Sequence, residues 1–241
     1  MNINYRPEID GLRAIAVISV IFYHANVVIF DEKLFKGGFI GVDIFFVISG
    51  YLITSLILRE LNTTQSFSFM NFYQRRVRRI LPPLFFVMLL CFPVAWVYLD
   101  PGNFIDFSKS ILYSIGFSSN FYFWDMGQQY AAANSLLKPF LHTWSLSIEE
   151  QYYIIFPIFL FIIFRYLRNY LLLFLIVSFI FSLLLADWGS KNYPSATFYF
   201  LHSRAWELIA GSFLAFSEIY QHYKKNNLII QNSLSFIGFF I

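Results

Sequence analysis

Cysteine and charge are the two things that this sequence has little of. Cys91 is the single cysteine among 241 residues, which excludes a disulfide framework and a thiolate metal site within the chain. Charged residues make up only 13% of the chain, and the formal net charge is +3. Because the basic residues form no long stripe, we expect no nucleic-acid partner. We likewise predict no metal centre.

Apolar and aromatic residues dominate instead. Hydrophobic residues make up 58% and aromatic residues 22% of the chain, with a mean hydropathy of +0.60, more than a soluble core uses. Apolar runs of roughly the 20 residues that a helix needs to cross a bilayer lie at residues 12–30, 38–58, 80–99, 147–164, 171–186 and 203–219. We therefore predict an all-α fold, a polytopic transmembrane helical bundle in a lipid bilayer.

A last apolar run, at residues 227–241, is shorter than a crossing needs. We expect it to be a span, about the seventh, within which the chain is truncated. No repeat or soluble domain is visible, so residues 1–241 are assigned to one membrane domain.

The basic residues predict how the bundle is oriented. Lys and Arg prefer short cytoplasmic loops, and four arginines follow the second span, at Arg75, Arg76, Arg78 and Arg79. This cluster predicts a cytoplasmic N-terminus.

Residues 104–140 decide the topology of the rest. Their first part, residues 104–124, is apolar but is interrupted by Asp106, Lys109 and five serines. If they cross the membrane zero or two times, the basic residues at 165, 168, 224 and 225 also face the cytoplasm. We therefore predict a re-entrant or surface segment on the outer side, with a full extra span as the alternative.

An ionisable pair lies in the first apolar run. His24 follows Arg13 by eleven residues, which on a helix is three turns plus about 20°, so both share one face roughly 16 Å apart. With Arg13 at the cytoplasmic edge, His24 would lie near the bilayer midplane. An ionisable group at that depth is costly and indicates a buried polar path or a reaction site. The alternative is a histidine that only hydrogen-bonds between helices.

Other ionisable groups lie at the ends of spans. Arg76 and Arg79 are three residues apart and can grip a pair of phosphates, although a topological anchor needs only their charge. Glu149 begins an apolar helix, where a carboxylate either stabilises the helix dipole or binds sugar hydroxyls beside the flat ring of Trp144. Asp43 is placed at the outer mouth of the second span.

Some residues are predicted to support the site rather than react. Asp10 with Arg13, and Arg204 with Glu207, are spaced to neutralise one another on one helix. Gly50 is predicted to be a close helix contact. His142, Ser145 and Ser147 precede Glu149 closely, but neighbours in sequence need not converge, so we predict no Ser-His-acid triad.

Five segments together resemble the acyltransferase 3 family of bacterial membrane acyltransferases. They are YRPEIDGLRAIAVISVIFYHA, GGFIGVDIFFVISGYLIT, FYQRRVRRILPP, HTWSLSIEEQYY and SRAWELIAGSFLAF, in order from Tyr5 to about Phe216. The family's signature of an arginine and a histidine with ten residues between them falls on Arg13 and His24. Its cytoplasmic RxxR motif falls on Arg76 and Arg79, and its W-x-L-x-x-E pattern on Trp144, Leu146 and Glu149.

The resemblance implies an O-acyltransferase of the cell inner membrane. It implies His24, Glu149 and Arg13 as catalytic residues, and Arg76, Arg79, Trp144 and Asp43 as substrate-binding residues. No cofactor is expected to stay bound, because acyl-CoA, most simply acetyl-CoA, is the donor substrate. The acceptor is a hydroxyl of an extracytoplasmic cell-surface glycan such as O-antigen, exopolysaccharide or peptidoglycan.

Several alternatives stay open at this stage. His24 can act as a general base, or it can carry the acyl group itself. A proton-coupled transporter or flippase would use the same intramembrane charges without making a bond, and a non-catalytic scaffold is a third class. The sequence does not predict the oligomeric state.

Overall fold

The computed structural model describes residues 6–25, 28–29, 32–33, 35–128 and 137–220. Nearly all of these residues are helical, so the predicted all-α class is confirmed. The helices are α1 (Pro7–His24), α2 (Ile40–Thr64), α3 (Phe69–Tyr98), α4 (Pro101–Ile115), α5 (Ser119–Gln128), α6 (Thr143–Tyr166), α7 (Leu171–Asn192), α8 (Pro194–Tyr199) and α9 (Leu201–Tyr220). A 3₁₀ turn, Arg168–Tyr170, precedes α7.

Four helical segments are long and apolar enough to cross a membrane. They are α2, α3, α6 and the stretch Arg168–Asn192, which includes α7. The predicted spans 12–30 and 203–219 correspond to α1 and α9, which carry more charge and run along α2. The multi-pass helical architecture expected from the sequence is therefore present.

The first predicted span is wrong at its end. Helix α1 stops at His24 rather than at residue 30, and Val28–Ile29 forms a strand, β1, antiparallel to β2 at Glu32–Lys33. Val28 and Ile29 are β-branched, which favours extended backbone. His24 therefore lies at the end of its helix, where the sequence placed it in the middle of a span.

Small residues hold α2 against α9, the most extensive helix contact in the described chain. A Cβ atom added at Gly50 would lie 1.8 Å from the Leu208 carbonyl oxygen, and one at Gly211 would lie 1.9 Å from that of Val47. Glycine permits this approach of two backbones. The prediction that Gly50 makes a close helix contact is confirmed.

Helices α4 and α5 form a hairpin that enters the bundle without crossing it. The turn between them lies against α6, where Gln151 donates a hydrogen bond to the Phe117 carbonyl at 2.9 Å. Gln151 is eight residues into α6, or about 12 Å along its axis. Tyr122 of α5 then reaches back to the Asp106 carbonyl of α4 at 3.1 Å. Neither helix is among those long and apolar enough to cross a membrane, which agrees with the predicted re-entrant or surface segment. Its place on the outer side of the membrane stays a prediction.

The ends of α2, α6 and α9 meet at one end of the bundle, which we call the arginine end. Asn62, near the end of α2, accepts hydrogen bonds from Arg168 at 2.9 Å and from Tyr220 at 3.3 Å. Glu218 in α9 pairs with Arg59 of α2 at 3.2 Å. This arrangement agrees with the charge-based topology, and Lys224 and Lys225 lie outside the described residues. The end that holds the start of α2, α6 and α9 we call the cavity end.

Candidate active site

A cavity of about 830 Å³ opens at the cavity end of the bundle. Each of the surrounding helices contributes a residue that the sequence singled out. They are His24 from the end of α1, Asp43 from the first turn of α2, Trp144 and Glu149 from α6, and Arg204 from α9. The volume lies in the range of small-molecule sites.

A second histidine completes the cavity beside the first. The rings of His24 and His142 are in edge-to-face contact, with centroids 4.7 Å apart. Partial burial, and then the neighbouring His24, lower the pKa of the His142 imidazole. Such a ring is neutral near pH 7 and can accept a proton. The sequence reasoning considered His142 only within a triad; its position two residues before Trp144 was the signal that it belonged to the site.

The two serines near His142 have other hydrogen-bond partners, in agreement with the prediction that they form no Ser-His-acid triad. The Ser145 hydroxyl donates to the backbone carbonyl of His142 at 3.1 Å. The Ser147 hydroxyl lies 2.8 Å from that of Ser119. Neither serine is aimed at an imidazole, so both are accounted for by helix packing.

Arg204 is locked into the cavity wall. Its Nη2 lies 2.5 Å from Asp43 Oδ1, and its Nε lies 3.3 Å from Glu207 Oε1. The sequence predicted only the second of these pairs. Asp43, which was expected at the substrate, is therefore also held by a guanidinium, and it keeps its place in the cavity lining.

Aromatic rings surround that guanidinium and form one wall of the cavity. Arg204 lies 5.6 Å from the centroid of Phe46, 5.8 Å from that of Trp144 and 5.9 Å from that of Phe198. Trp144 and Phe198 have centroids 4.4 Å apart. Aromatic rings around a guanidinium hold the cation in place, and they offer apolar faces on which a sugar ring can lie.

The Glu149 carboxylate is oriented by hydroxyl groups from two helices. Ser49 of α2 donates to its Oε1 at 2.5 Å, and Tyr153 of α6 donates to the same oxygen. Glu149 is only partly buried and lines the cavity. The carboxylate is thus available to a ligand while its orientation is fixed.

One residue of the arginine cluster contacts Tyr153, the tyrosine that donates to Glu149. Arg76 of α3 turns inward, and its guanidinium lies 4.9 Å from the ring centroid of Tyr153. Arg75 faces Glu60 instead, with 4.0 Å between Nη2 and Oε2. Arg79 is exposed. Of the RxxR pair Arg76 and Arg79, only Arg76 thus faces the interior.

Arg13 lies outside the cavity lining. It pairs with Asp10 at 3.4 Å between Nη1 and Oδ1, as the spacing predicts, and is roughly three helical turns from His24. The structure does not bring these two residues together, so a catalytic role of Arg13 stays a prediction.

The fold and this cavity define a multi-pass helical membrane protein with a cavity lined by aromatic and ionisable side chains. The chain belongs to the acyltransferase 3 family, whose model, described as an acyltransferase domain, matches residues 6–241. The resemblance drawn from the five segments is thereby confirmed.

Two curated relatives give the comparison more detail. A peptidoglycan O-acetyltransferase, OatA, of Listeria monocytogenes is 40% identical over 217 residues, which are 88% of this chain and 34% of that protein. An O-acetyltransferase, OatA, of Staphylococcus aureus is 36% identical over 216 residues, again 88% of this chain and 34% of that protein. The chain thus spans about a third of the length of these relatives. No solved structure matches it.

Proposed function

We propose that the chain forms part of an O-acyltransferase that moves an acetyl group from acetyl-CoA to a hydroxyl of an extracytoplasmic glycan. The observation that carries the proposal is that two groups of residues meet at Glu149. We call them the two half-sites: the cavity residues on one side and Arg76 on the other. His24 and Trp144 share the cavity with it, while Arg76 approaches it from the arginine side through Tyr153. The name of the Listeria relative favours peptidoglycan as the acceptor.

The donor is assigned to the arginine side. Arg76 and Arg79 hold the phosphates of acyl-CoA, since a guanidinium offers a fork of donors at fixed charge. The arginine end then lies on the cytoplasmic side of the plasma membrane, in keeping with the preference of basic residues for that side. The acceptor glycan enters at the cavity end and lies on the wall formed by Trp144 and Phe198.

The transfer step follows from these positions. The glycan hydroxyl oxygen attacks the thioester carbonyl carbon, and the bond from that carbon to sulfur breaks. His24 takes the hydroxyl proton and returns it to the leaving thiolate, so the products are the ester and free CoA. Glu149 accepts a hydrogen bond from the acceptor sugar and orients it.

The second histidine also supports a two-step course. In it, His24 attacks the thioester and carries the acetyl group after CoA leaves as the thiol. The glycan hydroxyl then attacks the acetyl carbon and needs another base, because the His24 nitrogen is occupied. His142, in contact with His24, is placed to take that proton.

The test is a His24→Ala variant assayed in native membranes supplied with acetyl-CoA and glycan acceptor. Release of free CoA and acetylation of the glycan should fall by roughly 10²- to 10⁴-fold, the usual contribution of one acid–base residue. The matched control is His202→Ala on α9. The His202 ring packs on Phe200 outside the cavity lining, so this variant should keep wild-type activity.

Two results would contradict the proposal. Transfer by His24→Ala within a few fold of wild type would remove His24 from the chemistry. Wild-type membranes that release no CoA in the presence of acceptor would favour a transporter that uses the same charged groups.

A further inference from the structure

Tyr153 is a buried tyrosine between the two half-sites, and neither the family patterns nor the proposed chemistry uses it. Its side chain is 3% exposed, on α6 one helical turn beyond Glu149. Its hydroxyl group donates to Glu149 Oε1, and its ring face carries the Arg76 guanidinium at 4.9 Å. The two contacts use different parts of the residue, so they can be removed separately.

The hydroxyl contact determines where Glu149 points. Ser49 and Tyr153 donate to the same oxygen, Oε1, from α2 and α6. Among the described residues no hydrogen bond to the second oxygen is present, and Glu149 lines the cavity. Because a hydrogen bond to a charged acceptor is stronger than one between neutral groups, loss of one hydroxyl should let the carboxylate turn away from its working position.

The ring contact supports the arginine. Arg76 lies on α3 and is half-buried against the rings of Tyr153 and Phe72, at 4.9 Å and 5.7 Å from their centroids. A cation over an aromatic face is held electrostatically and by packing. The ring therefore sets how far the guanidinium reaches toward the interior, independently of the hydroxyl group.

We propose that Tyr153 is a positioning residue with two separable tasks: its hydroxyl orients Glu149 toward the acceptor, and its ring supports Arg76 at the donor. This inference rests on the proposed function. It assigns to one side chain the link between the two half-sites.

The test compares two substitutions at this position by steady-state kinetics. Tyr153→Phe keeps the ring and removes the hydroxyl, so kcat should fall about tenfold while KM for acetyl-CoA stays within twofold, as expected when an orienting contact is lost. Tyr153→Leu removes both contacts, so KM for acetyl-CoA should rise several-fold in addition. In a Glu149→Ala background, which removes the acceptor oxygen, Tyr153→Phe should have no further effect on kcat.

The control is the neighbouring tyrosine on the same helix. Tyr152 is 4% exposed, and its hydroxyl lies 3.0 Å from that of Ser212, away from Glu149. Tyr152→Phe should keep kcat and KM within twofold of wild type. Ser49→Ala, which removes the other hydroxyl from Glu149 Oε1, should reproduce the kcat loss of Tyr153→Phe and serves if that variant does not fold.

The outcomes separate this inference from the proposed function. With an active wild type, it is overturned if Tyr153→Phe and Ser49→Ala keep full kcat, if Tyr152→Phe loses as much kcat as Tyr153→Phe, or if the effect of Tyr153→Phe adds to that of Glu149→Ala. A wild type without acetyl transfer overturns the proposed function, and this inference with it.

Discussion

The two ends of the bundle hold their charges in opposite ways. At the cavity end, the Arg204 side chain is 18% exposed and that of Glu207 is 2% exposed, and the two are paired. At the arginine end, Arg59 and Glu218 are paired at a similar distance but are 36% and 39% exposed. The comparison teaches that the same kind of ion pair, an arginine with a glutamate, has very different consequences for stability when it is buried and when it is exposed. Exposed pairs contribute about 0–1 kcal/mol, whereas breaking a buried pair leaves an uncompensated charge.

Sidedness gives the sharpest test of the comparison, because its outcome is all or none. In a Cys91→Ser background, a cysteine at Tyr166, near the arginine end, should resist an impermeant thiol reagent in intact cells. A cysteine at Asn192, beside Lys191 at the other end of α7, should react. The reverse labelling pattern would place the arginine end outside and contradict the assignment of donor and acceptor sides.

Removing one arginine from each end should expose the difference in burial. Arg204→Leu leaves Asp43 and Glu207 without their cation, and we expect it to cost about 3–5 kcal/mol of stability. Arg59→Leu, at the exposed pair, should cost no more than about 1 kcal/mol. Thermal unfolding in detergent measures both. Equal losses would mean that depth does not distinguish the ends.

The glycine contact between α2 and α9 joins the two ends and should be less sensitive than the ion pair. Gly211→Ala places a methyl group against the backbone of α2 and should cost about 1–3 kcal/mol by overpacking. Gly127→Ala is the control, since nothing lies within 4 Å of the added atom. Unfolding midpoints of the two variants should differ clearly; a Gly211→Ala variant as stable as wild type would show that the helices can separate without penalty.

The smallest effect is expected where charge is kept and only geometry changes. Replacing both Arg76 and Arg79 with Lys preserves the topological signal but loses the forked donors. The KM for acetyl-CoA should rise about tenfold, equivalent to about 1.4 kcal/mol, with membrane insertion unchanged. A double variant with the wild-type KM would leave the cluster as an anchor.

The sequence predicted those features that depend on local composition. The helical class follows from long apolar runs, and the two short helices α4 and α5 agree with the serines, Asp106 and Lys109 that interrupt residues 104–140. The end of α1 was missed because apolar β-branched residues after His24 suit a strand as well as a span. The turn between α4 and α5 is held by Gln151 of α6, which donates hydrogen bonds to the Phe117 carbonyl and to Asn120 of α5. No local sequence pattern specifies these partners.

The site was predictable in its members but not in their pairing. His24, Trp144 and Glu149 belong to recognisable motifs, and the cavity brings them together. The contact between Asp43 and Arg204 joins residues 161 positions apart, which no spacing rule can reveal. His142 was considered only as a triad member, although its position two residues before Trp144 indicated the site; its contact with His24 depends on the fold and not on local sequence.

The contact of α2 with α9 through Gly50 and Gly211 limits how this protein can move. Two backbones in direct contact cannot slide past each other without losing their packing, so the helices travel as one rigid body. Asp43 on α2 and Arg204 on α9 therefore keep their separation when the two helices move together. The same kind of contact joins α1 to α2, since a Cβ atom added at Gly41 would lie 2.5 Å from the Ala16 carbonyl oxygen. We therefore expect His24, at the end of α1, to keep its place relative to Asp43 and Arg204.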